Sequence, residues 1–308
     1  MVWIAESTWT TAVSVAGGEV VGYDCTIEPN FSQGWQEYLT AGTDNRYIQG
    51  QVAGQLDLNY TMSFVPYNWK WMKYLMAVAD STDGATKTHT FTMRDTIMSY
   101  TLEWARRHTT NHVLTLTSNA IKNATLSFAK PTGEGSEGFV KVALDCLAYS
   151  IAEGSSVASV SAISGTPFTF KHVKVTIDGT EYKEVNNGDM TISNEIDPND
   201  SRYCNTTYSN KLGEPIPKVF RISGRFNINI KDKTVFNLWN AGTAVSGTCT
   251  LLLDRDGTGN DQILFTFTNF VIRGAVGGTN LDGVTTADVV WVANSFASVV
   301  ARDSVSSY

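Results

Sequence analysis

Three aspartates and an asparagine crowd the eight residues 254–261, DRDGTGND. Such a run of oxygen donors is what a calcium loop uses. It lacks the spacing and the terminal glutamate of an EF-hand. It also stands between two apolar runs, CTLLL and QILFTF, where Asp-Gly marks a hairpin turn, and a turn is what it predicts. Four histidines stand at 89, 108, 112 and 172. His108 and His112 have the i, i+4 spacing of a zinc pair, but the intervening TTN reads as loop, where that spacing aligns nothing. Cysteines 25, 146, 204 and 249 are far apart and in no ligand spacing, as expected of free buried thiols in a reducing compartment. No serine occupies a nucleophile elbow, and no glycine-rich loop opens a helix; GGTNLDG (277–283) joins two strands. The triplet Asn59-Tyr60-Thr61 would be a glycan acceptor only after secretion. The expectation is a protein with no catalytic constellation, no metal site and no cofactor.

The elements that hold these residues are more informative. The 308-residue chain is 42% hydrophobic, enough for a substantial core. Only 17% of it is charged, so its surface is built from Thr, Ser, Asn and Gly. Such a surface suits a protein covered by neighbours. No apolar run reaches the length of a membrane helix, and MVWIAESTWT does not read as a secretory leader. The net charge is −7, and splitting the chain at residue 155 gives 10 basic and 15 acidic residues before it, 13 and 15 after. Neither half is the basic module that a sequence-independent grip on DNA needs.

The chain repeats itself. Setting Gly54 over Gly224, an offset of 170, lays VAGQLDLNY over ISGRFNINI in the same alternating phase, with Trp69 over Trp239. DCTI from Asp24 lies over DMTI from Asp189, an offset of 165, which makes the second intervening loop five residues longer (170 minus 165). HVLTLTSNAIKNATLSF from His112 resembles QILFTFTNFVIRGAVGG from Gln262, with Asn119 over Asn269, and LAYSIA from Leu147 resembles VANSFA from Val292. Landmarks in one order define two units, 1–160 and 161–308, joined through the Ser/Ala/Gly-rich SIAEGSSVASVSAISGTP. Each reads as mostly strands with one short helix. In the first unit the helix is PYNWKWMKYLMAVAD, with Trp69, Met72, Met76 and Ala79 on one stripe. In the second it runs from an Asp232 cap to Gly242, with Val235, Leu238 and Trp239 facing inward. The fold class is mainly β: two tandem sandwich or half-barrel domains.

The long strands raise a question of their own. Residues 52–64 alternate over a length well beyond the usual five or six residues. Their polar face carries Gln55, Asp57, Asn59 and Thr61; in the second unit it carries Ser223, Arg225, Asn227, Asn229 and Lys231. A long exposed strand normally guards itself with charge, especially Lys. Amides and hydroxyls suit instead a closed, water-filled channel whose edges are paired by another subunit.

In this order of features, GQLDLNYTMSF, a helix, LTLTSNAIKNATLSF and the Gly-led GFVKVALDCLAYS, followed by a second such set, the chain resembles the tail tube proteins of long-tailed bacteriophages and related archaeal viruses. The resemblance implies a structural virion protein, assembled in the host cytoplasm, whose inner sheets join side by side into a closed ring barrel. Two domains per chain imply three chains per pseudo-sixfold ring, with rings stacked into a hollow tube. The partners implied are further copies of itself, the tail terminator, baseplate and tape-measure proteins, and double-stranded DNA that passes without sequence-specific binding. The lumen would be lined by Gln55, Asp57, Asn59, Thr61, Arg225, Asn227, Asn229 and Lys231. Contacts between rings or subunits are expected from Trp3 and Trp9 in an N-terminal arm and from Tyr203 and Tyr208 in the long loop from Asn194. Other readings of the residues are a carbohydrate-binding or adhesive sandwich pair, using the eight Trp and twelve Tyr, a baseplate or distal-tail ring of the same fold, and, with least support, a hydrolase.

Overall fold

The structure is a computed structural model; it describes residues 1–308 apart from 39–49, 82–85, 107–110, 134–137, 155, 202–210, 230–232, 279–285 and 306. The strands of the first half are β1 (Val2–Ala5), β2 (Glu19–Val20), β3 (Tyr23–Tyr38), β4 (Gly50–Val65), β5 (Ala77–Ser81), β6 (Lys87–Thr92), β7 (Tyr100–Arg106), β8 (His112–Ala129) and β9 (Lys141–Gly154). Those of the second are β10 (Val173–Ile177), β11 (Thr180–Tyr182), β12 (Val185–Ser193), β13 (Arg221–Asn229), β14 (Thr250–Asp254), β15 (Gln262–Thr268), β16 (Val271–Gly278), β17 (Thr286–Ala293) and β18 (Ser295–Asp303). The α-helix α1 spans Thr234–Ala241. The chain is mainly β, as expected.

Two sheets hold all of these strands. In the larger, eight run edge to edge as β3-β4-β9-β8-β12-β13-β17-β16, while β7, β1 and β2 branch from β8. The branch follows from length. β8 has 18 residues, so its start pairs with β7 and its end, Asn123–Ala129, pairs with β12. The smaller sheet runs β11-β10-β14-β15-β18-β6-β5. Both sheets take strands from both halves, through β8–β12 in one and β6–β18 in the other.

Alternation sets the core. Leu58, Tyr60, Met62 and Phe64 of β4 and Ile222, Phe226 and Ile228 of β13 are buried, together with Val142, Leu144 and Cys146 of β9. They share one apolar cluster with Leu251, Leu253, Ile263, Phe265, Val299 and Ala301 of the smaller sheet. Burying a side chain of this size contributes about 1.5–3 kcal/mol.

Two expectations are corrected. The first helix shrinks to a 3-10 turn, Lys70–Tyr74, followed at once by β5. Trp71, Met72, Lys73 and Tyr74 are all buried, so this segment has no wet face to pair with an apolar stripe. Nor is the N-terminus a free arm throughout: Val2–Ala5 is a strand of the large sheet, paired with β7. Trp3, 2% exposed, packs edge-on against Phe64 and Tyr100. The second helix is present and ends at Gly242, whose φ of 66° is the left-handed conformation glycine adopts without strain. Val235 is buried and Leu238 and Trp239 half-buried, whereas Asp232 lies outside the described residues.

Candidate assembly surface

The face of the large sheet turned away from the core carries the predicted polar positions. Gln55, Asp57, Asn59 and Thr61 alternate with the buried residues of β4; Ser223, Arg225, Asn227 and Asn229 do so on β13. Lys231, like Tyr203 and Tyr208, lies outside the described residues. Across β12, β13 and β17 the amides form a ladder. Asn186 Nδ2 donates to Asn227 Oδ1 (3.0 Å) and Asn229 Oδ1 (2.8 Å), and Asn227 Nδ2 donates to Asp288 Oδ1 (2.8 Å). Two of the cations are paired within the chain. Arg225 lies 3.6 Å from Asp189, and Lys122 3.1 Å from Asp145. Burial pushes the Asp189 carboxyl above its usual range, with Arg225 opposing the shift.

Four strands of the large sheet in the first half have counterparts in the second, in a register that LAYSIA over VANSFA already has (145) and the other sequence offsets miss. A bulge follows Ile121 in β8, which pairs with Cys146; a matching bulge follows Ile272 in β16, which pairs with Trp291. Ser118 and Asn269 hold equivalent left-handed conformations (both φ 51°). These marks align β8 with β15 and β16 at an offset of 151 (272 minus 121) and β9 with β17 at 145 (291 minus 146). Through Tyr60↔Cys146 and Gly224↔Trp291, β4 then matches β13 at 164, not 170. Through Pro29↔Tyr60 and Met190↔Gly224, β3 matches β12 at 161, not 165. The second loop is therefore three residues longer (164 minus 161), not five. These two errors, six and four residues, are even numbers, so the inward and outward phases of β3 and β4 survive them; Asn119 over Asn269, an offset of 150, misses by one residue, and Ser118 is the counterpart of Asn269.

In this frame β8–β12 is a joint between the halves. Seven pairs, from Asn123↔Ser193 to Ala129↔Asn187, bind the last strand of the first half's set to the first strand of the second's. At the two ends of the eight-strand run, β3 pairs only with β4, and β16 only with β17, among the described residues. Pro29 stands on the β3 edge, where a missing N–H is tolerated.

Above the joint the outward face is covered. Leu147 of β9 and Ala120 of β8 form a small cluster with Trp9, Ile196 and Leu212. Trp9 is thus packed within its own chain, edge-on to Tyr149 at 6.4 Å. The segment carrying it is tied by Glu6, whose buried carboxylate accepts from Thr101 Oγ1, the Ser118 N–H (2.9 Å) and Ser118 Oγ (2.7 Å). Trp3 and Trp9 are thus both buried within their own chain. The equivalent ground in the second half, beside Val292, is instead an open groove of about 480 Å³.

The other singled-out residues form turns and clasps. In 254–261 the aspartates bond the loop itself: Asp254 accepts from the Gly257 N–H (2.9 Å) and Asp256 from the Thr258 N–H (3.0 Å). The Thr258 hydroxyl bonded to Asp256 holds that carboxyl well below its usual range. Among the described residues no three His, Cys, Asp or Glu side chains are grouped to hold a metal. His108 lies outside the described residues, His112 faces Glu153 at 2.8 Å, and His172 closes a capping box with Thr169. His89 was not visible as a cluster from sequence. Fully buried, it sits between Asp80 (2.7 Å) and Asp303 (3.2 Å), stacked on Tyr308 at 3.7 Å, and fastens β6 to β18 and the C-terminal segment. Cys25, Cys146 and Cys249 are free thiols, and burial raises all three, Cys146 to about 12.

The family model described as phage tail tube protein matches residues 1–293. No curated protein sequence matches the chain.

Proposed function

The chain belongs to the phage tail tube protein family and is a structural component of a virion tail; we propose that three copies close into a ring and that stacked rings form a conduit for double-stranded DNA. The observation that carries this is the eight-strand run with a completed joint inside it and two unpaired ends. β16 stands in the second half where β8 stands in the first, and β3 stands where β12 stands. The chain therefore already contains one copy of the joint that β16 of one molecule and β3 of the next would make. Three chains supply 24 strands (three times eight), and barrels of about 16 strands or more already enclose water. Closing the ring leaves no edge in it, while stacking repeats without closure.

The polar face then becomes the lumen. Two of its cations, Arg225 and Lys122, are held by carboxylates of the same chain, which leaves them less free to bind phosphates through counterion release. Amides, hydroxyls and a net charge of −7 let a polyanion slide. Catalysis has no part in this reading. Residues 1–160 and 161–308 act as two copies of one tube domain, assembled in the host cytoplasm and bounded in the tail by terminator, baseplate and tape-measure proteins.

Electron microscopy of the concentrated protein tests the reading. Rings with three chains and six repeating densities, or hollow rods built from them, are expected. A monodisperse monomer at every concentration, with the β3 and β16 edges protected from hydrogen exchange, would overturn it.

A further inference from the structure

The joint within the chain fixes a register for the joint between chains. In β8–β12, Asn123 pairs with Ser193, Ala124 with Ile192, Thr125 with Thr191, Leu126 with Met190 and Ser127 with Asp189. Carrying β8 to β16 (offset 151) and β12 to β3 (offset 161) turns these pairs into Gly274 with Ser32, Ala275 with Phe31, Val276 with Asn30, Gly277 with Pro29 and Gly278 with Glu28. The phases match. Phe31 and Pro29 lie across from the buried Leu58 and Tyr60, and Ala275 and Gly277 across from the buried Val289 and Ala287. Ser32 and Gly274 lie across from Asp57 and Val290, in the outward phase of β4 and β17. A slide of one residue would set core positions against outward ones. Size matches too: half-buried Phe31 meets buried Ala275, as Ile192 meets Ala124.

Two differences from the joint within the chain are informative. Asn194 N–H donates to Lys122 O (2.9 Å), so Asn194, Ile192 and Met190 turn their backbone groups toward β8. The counterpart of Met190 is Pro29, so the joint between chains lacks one donor, opposite Gly277. Proline is a common guard of an edge strand against unwanted pairing. The second difference is charge. Lys122, at the bulge of β8, is held by Asp145 at 3.1 Å. Its counterpart Arg273 has Val290 in the place of Asp145 (offset 145), and it makes no ion pair among the described residues. On the far side of the joint, Arg221, which is ion-paired with Glu195, is replaced by Asp57 (offset 164). Arg273 lines the outward face together with Ser223 and Val292. In the row Gly274, Ser32, Asp57, only a serine side chain stands between that cation and that carboxylate.

We propose that β16 of one chain pairs with β3 of a second copy with Ser32 across from Gly274, and that Arg273 reaches over Ser32 to Asp57 of that copy. The occupant is a copy of this chain because each edge matches, in phase and in size, the strand that its counterpart already pairs with, and the charges across the joint are opposite. The inference rests on the ring reading and adds to it the register of each closure and an ion pair that selects it.

The test uses the full chain carrying Ser32→Cys and Gly274→Cys, assembled and then oxidised. Ser193 and Asn123, the template pair, exchange no backbone hydrogen bond, the geometry that holds side chains closest and suits a disulfide. A Cβ at Gly274 meets nothing nearer than Val290 at 3.7 Å, so the site accepts the change. A 32–274 disulfide between chains, located by peptide mass, is expected. Asn30→Cys with Gly274→Cys, a slide of two residues, should not link. Arg273→Asp should raise the concentration needed for assembly about tenfold or more, and adding Asp57→Arg should lower it again. Rods or rings that link in the slid pair, or in neither pair, would overturn the register and leave assembly itself in place. An Arg273→Asp chain that assembles like the wild type would overturn the ion pair. A wild-type chain that never assembles would overturn the ring reading and this register with it.

Discussion

Tyr60 in the first half and Gly224 in the second occupy one place in two copies of a sheet, and their partners differ inversely. Tyr60 lies across from Cys146, and Gly224 lies across from Trp291. Large faces small in both, with the large residue on opposite strands. Volume is conserved across the pair while its chemistry changes. The Tyr60 hydroxyl donates to Asn119 Oδ1 (2.8 Å) and lies 3.1 Å from Tyr100 Oη, which donates to Cys146 Sγ (3.3 Å). Trp291 instead stacks on Phe226 and Phe270, with centroids at 5.3 and 5.0 Å. Phe270 is the counterpart of Asn119 at offset 151. The fold thus demands a filled space at this position and accepts either a hydrogen-bonded network or an aromatic stack.

The largest effect should come from forcing the two halves alike. A Cβ on Gly224 would run into the Asp189 carbonyl oxygen and lie 2.5 Å from a ring carbon of Trp291. Gly224→Ala should cost about 3 kcal/mol, the upper part of the range for overpacking. Urea unfolding would measure it as a lower midpoint at unchanged slope. Adding Trp291→Cys removes the ring clash and leaves the one with backbone oxygen, so it should not restore stability. Full recovery in the double variant would show that the space, and not the strand spacing, sets this glycine.

A middle effect is expected from the first half. Tyr60→Phe keeps the ring and deletes the hydroxyl, leaving a buried Asn119 oxygen without that donor. Its cost should be about 1–2 kcal/mol. The symmetrical change, Trp291→Phe, should behave differently, because the Trp291 N–H has no hydrogen-bond partner among the described residues. It loses packing and no bond. Thermal unfolding of the two variants side by side, with Tyr60→Phe costing nothing, would refute the network as a stabilising feature.

How much of this the sequence held follows from the range of each interaction. Alternation is local, so the core and wet phases of β4 and β13 were legible, as were the Asp-Gly turn and the Gly242 cap. Register is not local. A slide of two, four or six residues leaves an alternating pattern unchanged, which is why Gly54 fell over Gly224 although Tyr60 is its counterpart. The run at 66–80 looked helical because Trp69, Met72 and Met76 recur at helical spacing, but burial on all sides removes the meaning of a stripe. Trp3 and Trp9 looked like the residues of a free arm because their partners, Phe64, Tyr100 and Tyr149, are distant in sequence.

The smallest expected effect separates the halves by charge. Asp189 faces Arg225 across β12 and β13 at 3.6 Å, while their counterparts are Glu28 and Thr61, with no cation opposite. The pair is partly exposed, so Arg225→Ala should cost no more than about 0.5–1 kcal/mol. The pH dependence is the sharper reading. Burial raises the folded Asp189 pKa above its unfolded value, so the folded state binds that proton more tightly. Its unfavourable contribution is present above the folded pKa and is relieved as pH falls. Relative to Asp189→Asn, the wild type should therefore gain stability between neutral pH and the acid side of the carboxylate range. Arg225→Ala removes the opposing cation, raises that pKa further, and should widen the gain. Unfolding at a series of pH values in which wild type and Asp189→Asn run parallel would show that the carboxylate is solvated and that β12 is less covered than the joint with β8 requires.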